Sequence, residues 1–215
     1  MRSWTRPDGR TFVVGEPDAE LPAGELYASV DEADAERRAA LEALGFAVER
    51  RELVLELPTE VGAAAPPPGV SLVPADAVPE DELRLLDDEL RQDVPGTGGW
   101  RWDAAGFREE TYDSPDFDPA LYLVARDDAA ERWIGIARVW NRPGRARLGF
   151  VGVGRAQRRR GVAKALVVEV LAVLRERGVE RLTTEVDEEN VASRALLEGL
   201  GGRPVGASLE LRRLG

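Results

Sequence analysis

Val151-Gly-Val-Gly-Arg-Ala-Gln-Arg-Arg-Arg-Gly-Val-Ala163 is the stretch on which the reading of this chain turns. It reads as a buried strand, an arginine-rich turn, and Gly161 opening a helix whose Val162, Leu166, Val170 and Leu174 make an i, i+4 apolar stripe. Gly178 supplies the C-terminal stop. The first turn of a helix has N–H groups without intrahelical partners and the positive end of the macrodipole. A glycine there lets an anion approach the backbone. Arg158, Arg159 and Arg160 add charge beside it. The segment is built to hold a phosphate-bearing anion, or else its arginines form a solvated face.

The rest of the composition narrows the chemistry. The chain has 215 residues, enough for one large domain or one domain with a small extra unit. Cys 0 excludes disulfides and thiolate chemistry, and His 0 excludes imidazole catalysis, so acid–base work falls to Asp, Glu, Tyr, Lys or water. No apolar run is long enough to span a membrane and the polar start does not read as a signal peptide, so a cytoplasmic protein is expected. The Ala/Arg-rich composition suggests a bacterial one. Net charge is −11, yet Arg132 to Val168 holds ten Lys or Arg and no acidic residue. One basic segment in an acidic protein suits a small anionic ligand and argues against nucleic acid as a partner.

Upstream, Ala63-Ala-Ala-Pro-Pro-Pro-Gly69 is a stiff extended linker. After it the pattern gives a strand at 70–74, a helix at 79–92, a short helix at 103–111 and strands at 121–126, 133–140 and 147–153. The long helix, a strand at 181–186, a helix at 191–200 and a strand at 205–213 complete a βααβββαβαβ order. This is mixed α/β (α+β) with one strand–helix–strand crossover at the arginine turn.

Residues 70–215 resemble the GNAT superfamily of acetyl-CoA-dependent N-acetyltransferases. Arg158-Arg-Arg-Gly-Val-Ala163 fits its Arg/Gln-x-x-Gly-x-Gly/Ala turn, with Val151-Gly-Val153 before it, and Asn190 and Ser193 opening the next helix. The resemblance implies a mixed central sheet flanked by helices, and acetyl-CoA as cofactor. The pyrophosphate would lie on the N–H groups of Arg159, Arg160, Gly161, Val162 and Ala163, with Arg158, Arg159 and Arg160 near the 3′-phosphate. Pantetheine would pair with Val151, Gly152 and Val153 where this strand splays from its neighbour, with Gly149 and Gly152 suiting a bulge or a close approach. The N–H near Val153 would polarise the thioester carbonyl, a role worth about 3–4 kcal/mol in other enzymes. Asn190 would fix the pantetheine arm, or serve simply as a helix N-cap.

For catalysis the resemblance points to Glu185, in Thr184-Glu-Val186 with Asn190 following, as the base. The alternative is an ordinary surface glutamate. Relatives place an acidic Tyr seven residues after the Asn, where this chain has Leu197. Water or Tyr112, within Glu109-Glu-Thr-Tyr-Asp-Ser-Pro-Asp116, is the candidate substitute; acidic residues in that region would suit a cationic acceptor or simply form a solvated loop.

The first 60 residues contain a repeat. Leu26 to Leu57 aligns without gaps to Leu182 to Arg213, a shift of 156, with 12 of 32 positions identical, among them Leu26, Val30, Asp31, Glu32, Leu41, Gly45, Leu53 and Leu55. The N-terminus therefore reads as a degenerate half-GNAT unit. Preceded by a hairpin across Pro7-Asp8-Gly9, it forms a small β-β-β-α-β half-domain. Asp34 replaces the Asn, Ser29 stands where Glu185 stands, and no arginine loop precedes it, so this copy should not bind coenzyme A. The expected organisation is residues 1–60 half-GNAT, 61–69 linker and 70–215 acetyltransferase domain, the first packing on the last and walling the acceptor site. The expected activity is acetyl transfer from acetyl-CoA to a primary amine of a small molecule or a peptide or protein N-terminus, by an enzyme that a homodimer would suit. The alternative is a non-catalytic acyl-CoA-binding or regulatory protein.

Overall fold

The computed structural model describes residues 2–16, 21–142 and 144–215, apart from the side chains of Asn141 and Arg145. Strands β1 (Arg2–Thr5) and β2 (Thr11–Val14) form the hairpin, followed by β3 (Leu26–Asp31), α1 (Ala35–Ala43) and β4 (Ala47–Pro58). Then come β5 (Val70–Pro74), α2 (Glu80–Arg91), α3 (Ala104–Glu110), β6 (Tyr122–Asp127), β7 (Arg132–Arg142) and β8 (Arg145–Val153). Helix α4 (Val162–Glu176), β9 (Arg181–Asp187), α5 (Val191–Glu198) and β10 (Arg203–Arg213) follow. The sequence pattern placed each of these elements after residue 70 to within two or three residues.

All ten strands join one sheet in the order β1-β2-β3-β10-β4-β9-β8-β7-β6-β5. The order differs from two units packed face to face. Strand β4 of the first repeat lies between β9 and β10 of the second, and β10 lies between β3 and β4 of the first. The registers obey the 156-residue shift: Asp31 faces Ser208 as Asp187 faces Glu52, and Val30 faces Leu209 as Val186 faces Leu53. Ser208 and Glu52, themselves repeat partners, face each other across β10 and β4. A pseudo-twofold axis therefore pierces the sheet at that pair. Each repeat ends in a strand whose ladder groups need two neighbours, and each finds both of them in the other repeat.

The exchange also shares the core. Leu55 and Leu57 of β4 are fully buried in the same cluster as Leu166, Leu171, Leu182 and Leu197 from the α4 and α5 side. A second cluster under α2 and α3 contains Leu83, Phe107, Tyr122 and Phe150, and a third under α1 contains Leu26, Leu41 and Leu209. Thr59, just past β4, is tied to the carbonyls of Val179 and Glu180. The Pro/Ala segment that follows lies without regular structure, with Val61 and Ala64 against the main core.

Candidate active site

Strands β8 and β9 run parallel but share a single register pair, Arg147 with Thr183. Thr184 Oγ1 donates to Leu148 O at 2.9 Å and marks the last tie between them. Beyond it the strands part. The far edge of β8 is fixed by β7: Gly152 pairs with Ile136, and Gly154 N–H donates to Ile134 O at 2.9 Å. Alternation along an antiparallel ladder then turns the N–H and C=O of Val151 and Val153 toward the gap. Strand β8 also carries a bulge at Gly149, since Leu148 pairs with Val139 and Phe150 with Arg138. A Cβ at Gly149 would overlap the Trp140 ring, and one at Gly152 would lie 2.9 Å from Phe150 Cζ. A side chain at either position would have to displace an aromatic ring.

Below the gap is the arginine turn. Arg159 (φ 64°) and Gly161 (φ 89°) are both left-handed, which turns successive N–H groups toward one concave side. Gly161 caps α4 with no side-chain acceptor, and the first helical bond runs from Ala165 N–H to Gly161 O. The N–H groups of Val162, Ala163 and Lys164 are thereby left at the helix mouth. They open into a cleft of about 360 Å³ that Val151, Gly152, Val153, Arg158, Arg159, Gly161, Val162, Ala163, Asn190 and Ser193 line together. Of the cofactor residues read from the sequence, Arg160 alone is not on this wall; it is exposed beside it.

The three arginines are not equivalent. Arg158 donates from Nε to Val153 O at 2.9 Å and from a terminal nitrogen to Asp93 at 2.6 Å. Asp93, just past α2, also holds Arg155, and the two guanidiniums, Arg155 foremost, pull its carboxyl down to about 2. Arg158 is thus part of the wall, while Arg159 and Arg160 are the exposed charges without an acidic partner among the described residues. Asn190 accepts from Ser193 N–H at 3.1 Å as the N-cap of α5, and it lines the cleft as well. Both roles weighed from the sequence are geometrically open to it.

A small cavity of about 80 Å³, lined by Leu148 to Val151, Glu52, Glu185 and Asp187, adjoins the cleft and shares Val94, Val151, Asn190 and Ser193 with it. Pro95 and Asp187 are shared in turn with a basin of about 640 Å³ whose wall includes Tyr27, Arg50 and Arg51 of the first repeat and Glu188, Glu189 and Glu210 of the second. Glu185 reaches this cavity with its carboxylate committed to Arg147, whose Nε lies at 2.6 Å. Leu197, 2% exposed, closes the cavity from the core side. Tyr112 is not brought to the cleft: it packs among Phe107 and Phe117, where burial raises its phenol. Glu109 and Glu110 line a separate basin with Trp100, Trp102 and Trp140 that shares no wall residue with the cleft. Sequence reasoning missed Asp93, Arg147 and Glu52. Asp93 and Arg147 are ordinary charged residues in the string, and the position of Glu52 depends on a strand pairing with no local signal.

A sequence model of the acetyltransferase (GNAT) family matches residues 84–201, more than half of the chain. The chain belongs to the GNAT family. Solved structures share its fold. A GCN5-related N-acetyltransferase from Sphaerobacter thermophilus matches with TM-score 0.73 and 21% identity, over 88% of this chain and 59% of that one. A tandem GNAT protein from the clavulanic acid biosynthesis pathway matches with TM-score 0.68 and 21% identity, over 89% and 64%. A GCN5-related N-acetyltransferase from Kribbella flavida matches with TM-score 0.62 and 19% identity, over 88% and 68%. This GNAT chain thus spans less than two thirds of the first two. No curated protein sequence matches it. Among the described residues no helix is long and apolar enough to cross a membrane.

Proposed function

We propose that this GNAT chain is an N-acetyltransferase that carries an acetyl group from acetyl-CoA to a primary amine. The observation that carries the reading is one continuous cleft with the outward-turned N–H of Val153 at one end and the bare helix mouth at Val162 to Lys164 at the other. Such a cleft suits a ligand with diphosphate at one end and amide groups along an extended arm. Acetyl-CoA supplies the activated acyl group. Val151 and Val153 would hold its arm as an added strand, and Val153 N–H would donate to the acyl oxygen as negative charge develops there. Arg159 and Arg160 would neutralise phosphate charge. The amine would enter from the 640 Å³ basin, where carboxylates outnumber arginines, which suits a polar cationic acceptor.

A second reading, acyl-CoA binding without turnover, draws on Leu197. That residue leaves an apolar wall where an acid for the departing thiolate would stand. Water from the open basin can supply that proton. Calorimetric titration with coenzyme A, followed by thiol release from acetyl-CoA across a panel of amines, tests the choice. Binding with amine-dependent thiol release supports the transferase. Binding without turnover on any amine supports the second reading, and no binding overturns both.

A further inference from the structure

Where β8 and β9 part, the sheet presents carboxylates from three strands on one face. Glu185 and Asp187 alternate with Val186 on β9, and Glu52 on β4 is the direct cross-strand partner of Asp187. Glu210 on β10 faces Arg50. Their counter-charges are unevenly shared. Glu185 has Arg147 to itself. Asp187 accepts the Glu189 N–H at 2.8 Å and is 3.4 Å from Arg50. Glu210 is held by both Arg10 at 2.9 Å and Arg50 at 3.1 Å. Glu52 has one partner, Arg50 at 2.8 Å, which it shares with Asp187 and Glu210, and its second carboxylate oxygen has none among the described residues. Its side chain is 26% exposed, and it lines the cavity beside Gly149 to Val151.

We propose, resting on the acetyltransferase reading, that Glu52, delivered to the cavity by the N-terminal repeat, is the base that receives the acceptor's proton. An incoming ammonium supplies the cation this cluster lacks. Glu52 takes one proton from it, and the neutral nitrogen forms the C–N bond to the acetyl carbon as the C–S bond breaks. The nitrogen, cationic once the C–N bond has formed, releases its second proton to basin water, water gives one to the departing sulfur, and Glu52 returns its own to solvent. A base is best matched to neutral conditions when its carboxyl lies above the ordinary range. Burial pushes Glu52 upward, Arg50 opposes it, and Glu210 and Glu185 add to the rise. On this view the half-repeat that should hold no cofactor is retained because it completes the acceptor side of the other repeat's site.

The test compares Glu52→Gln and Glu185→Gln in the full chain. In the cofactor-free protein, side-chain carboxyl 13C resonances are followed against pH. A glutamate titrating above the usual range is expected, and it should vanish in Glu52→Gln. Coenzyme A affinity, measured by calorimetry, should stay within about twofold and certifies folding. For the best amine, kcat/KM at pH 7 should fall roughly 10²- to 10⁴-fold in Glu52→Gln. The acid limb of the profile should be replaced by a tenfold rise per pH unit. An elevated resonance that persists in Glu52→Gln, or an acid limb that survives there and moves instead in Glu185→Gln, overturns the assignment. Amine-independent wild-type protein that nonetheless binds coenzyme A removes the transferase reading, and the base role with it.

Discussion

Replacing Leu55 with Ala probes the strand exchange directly. Leu55 belongs to the N-terminal repeat by sequence, yet it is fully buried in the cluster built around α4 and α5. It is flanked by Thr184 of β9 and Pro204 of β10. A buried Leu→Ala change costs about 2–5 kcal/mol, depending on how far the surroundings collapse into the void. With β4 laddered on both sides the backbone has little freedom to close in, which points to about 3–4 kcal/mol. For a chain of this length that lowers Tm by roughly 6–16 °C. Differential scanning calorimetry and urea unfolding followed by tryptophan fluorescence should show one transition, shifted as a whole. If the repeats were separate bodies, two transitions would appear and only the first would move. Two transitions, or a shift under about 2 °C, would refute the shared core.

Three other outcomes follow from the same geometry. The double change Arg159→Ala/Arg160→Ala should weaken coenzyme A binding by about 5- to 20-fold at low salt, with the gap narrowing as salt is added, read by calorimetry at two ionic strengths. Gly149→Ala should displace the Trp140 ring and cost about 1–3 kcal/mol, visible as a lower Tm and an altered near-UV tryptophan signal. The Glu52 carboxyl is raised in the folded protein, so its contribution to stability is present below the unfolded value and lost as pH rises through the folded one. The Tm advantage of Glu52→Gln over wild type should therefore be larger at pH 8 than at pH 4, and a gap that shrinks toward pH 8 would contradict the raised carboxyl.

The elements were legible because each rests on local signals. The stripe Val162, Leu166, Val170, Leu174 specifies a helix, the alternation in Leu182-Thr-Thr-Glu-Val186 specifies a strand, and Gly161 and Gly178 punctuate α4. That most of the candidate residues share one cleft was legible because one continuous segment supplies them. What escaped was everything that depends on distant pairing. Ser208 meets Asp31 across a sequence separation of 177 (208 − 31), and no local pattern encodes that choice. The repeat was visible in the string, but its consequence was read as two packed units, since internal similarity specifies matching shapes and not which strand completes which ladder. Glu52 lay hidden for the same reason. Within its own repeat it is one charge in a run of charges, Glu49-Arg-Arg-Glu52, and only its insertion beside β9 gives it a position at the small cavity next to the cleft. Tyr112 was misjudged in the other direction, since a tyrosine in an acidic stretch looks accessible until Phe107 and Phe117 enclose it.

The exchange also shapes how the chain must be made. Pro58 ends β4 and Arg213 ends β10, so 155 residues (213 − 58) separate a strand from the last of its neighbours. At synthesis rates of about 5–20 residues per second, β4 waits roughly 8–30 s before both its edges are satisfied. During that interval Leu53, Leu55 and Leu57 form an apolar row open to any passing strand. The charges at Glu49 to Glu52 and Glu56, and the proline that ends the strand, are the features that discourage such pairing on the nascent chain.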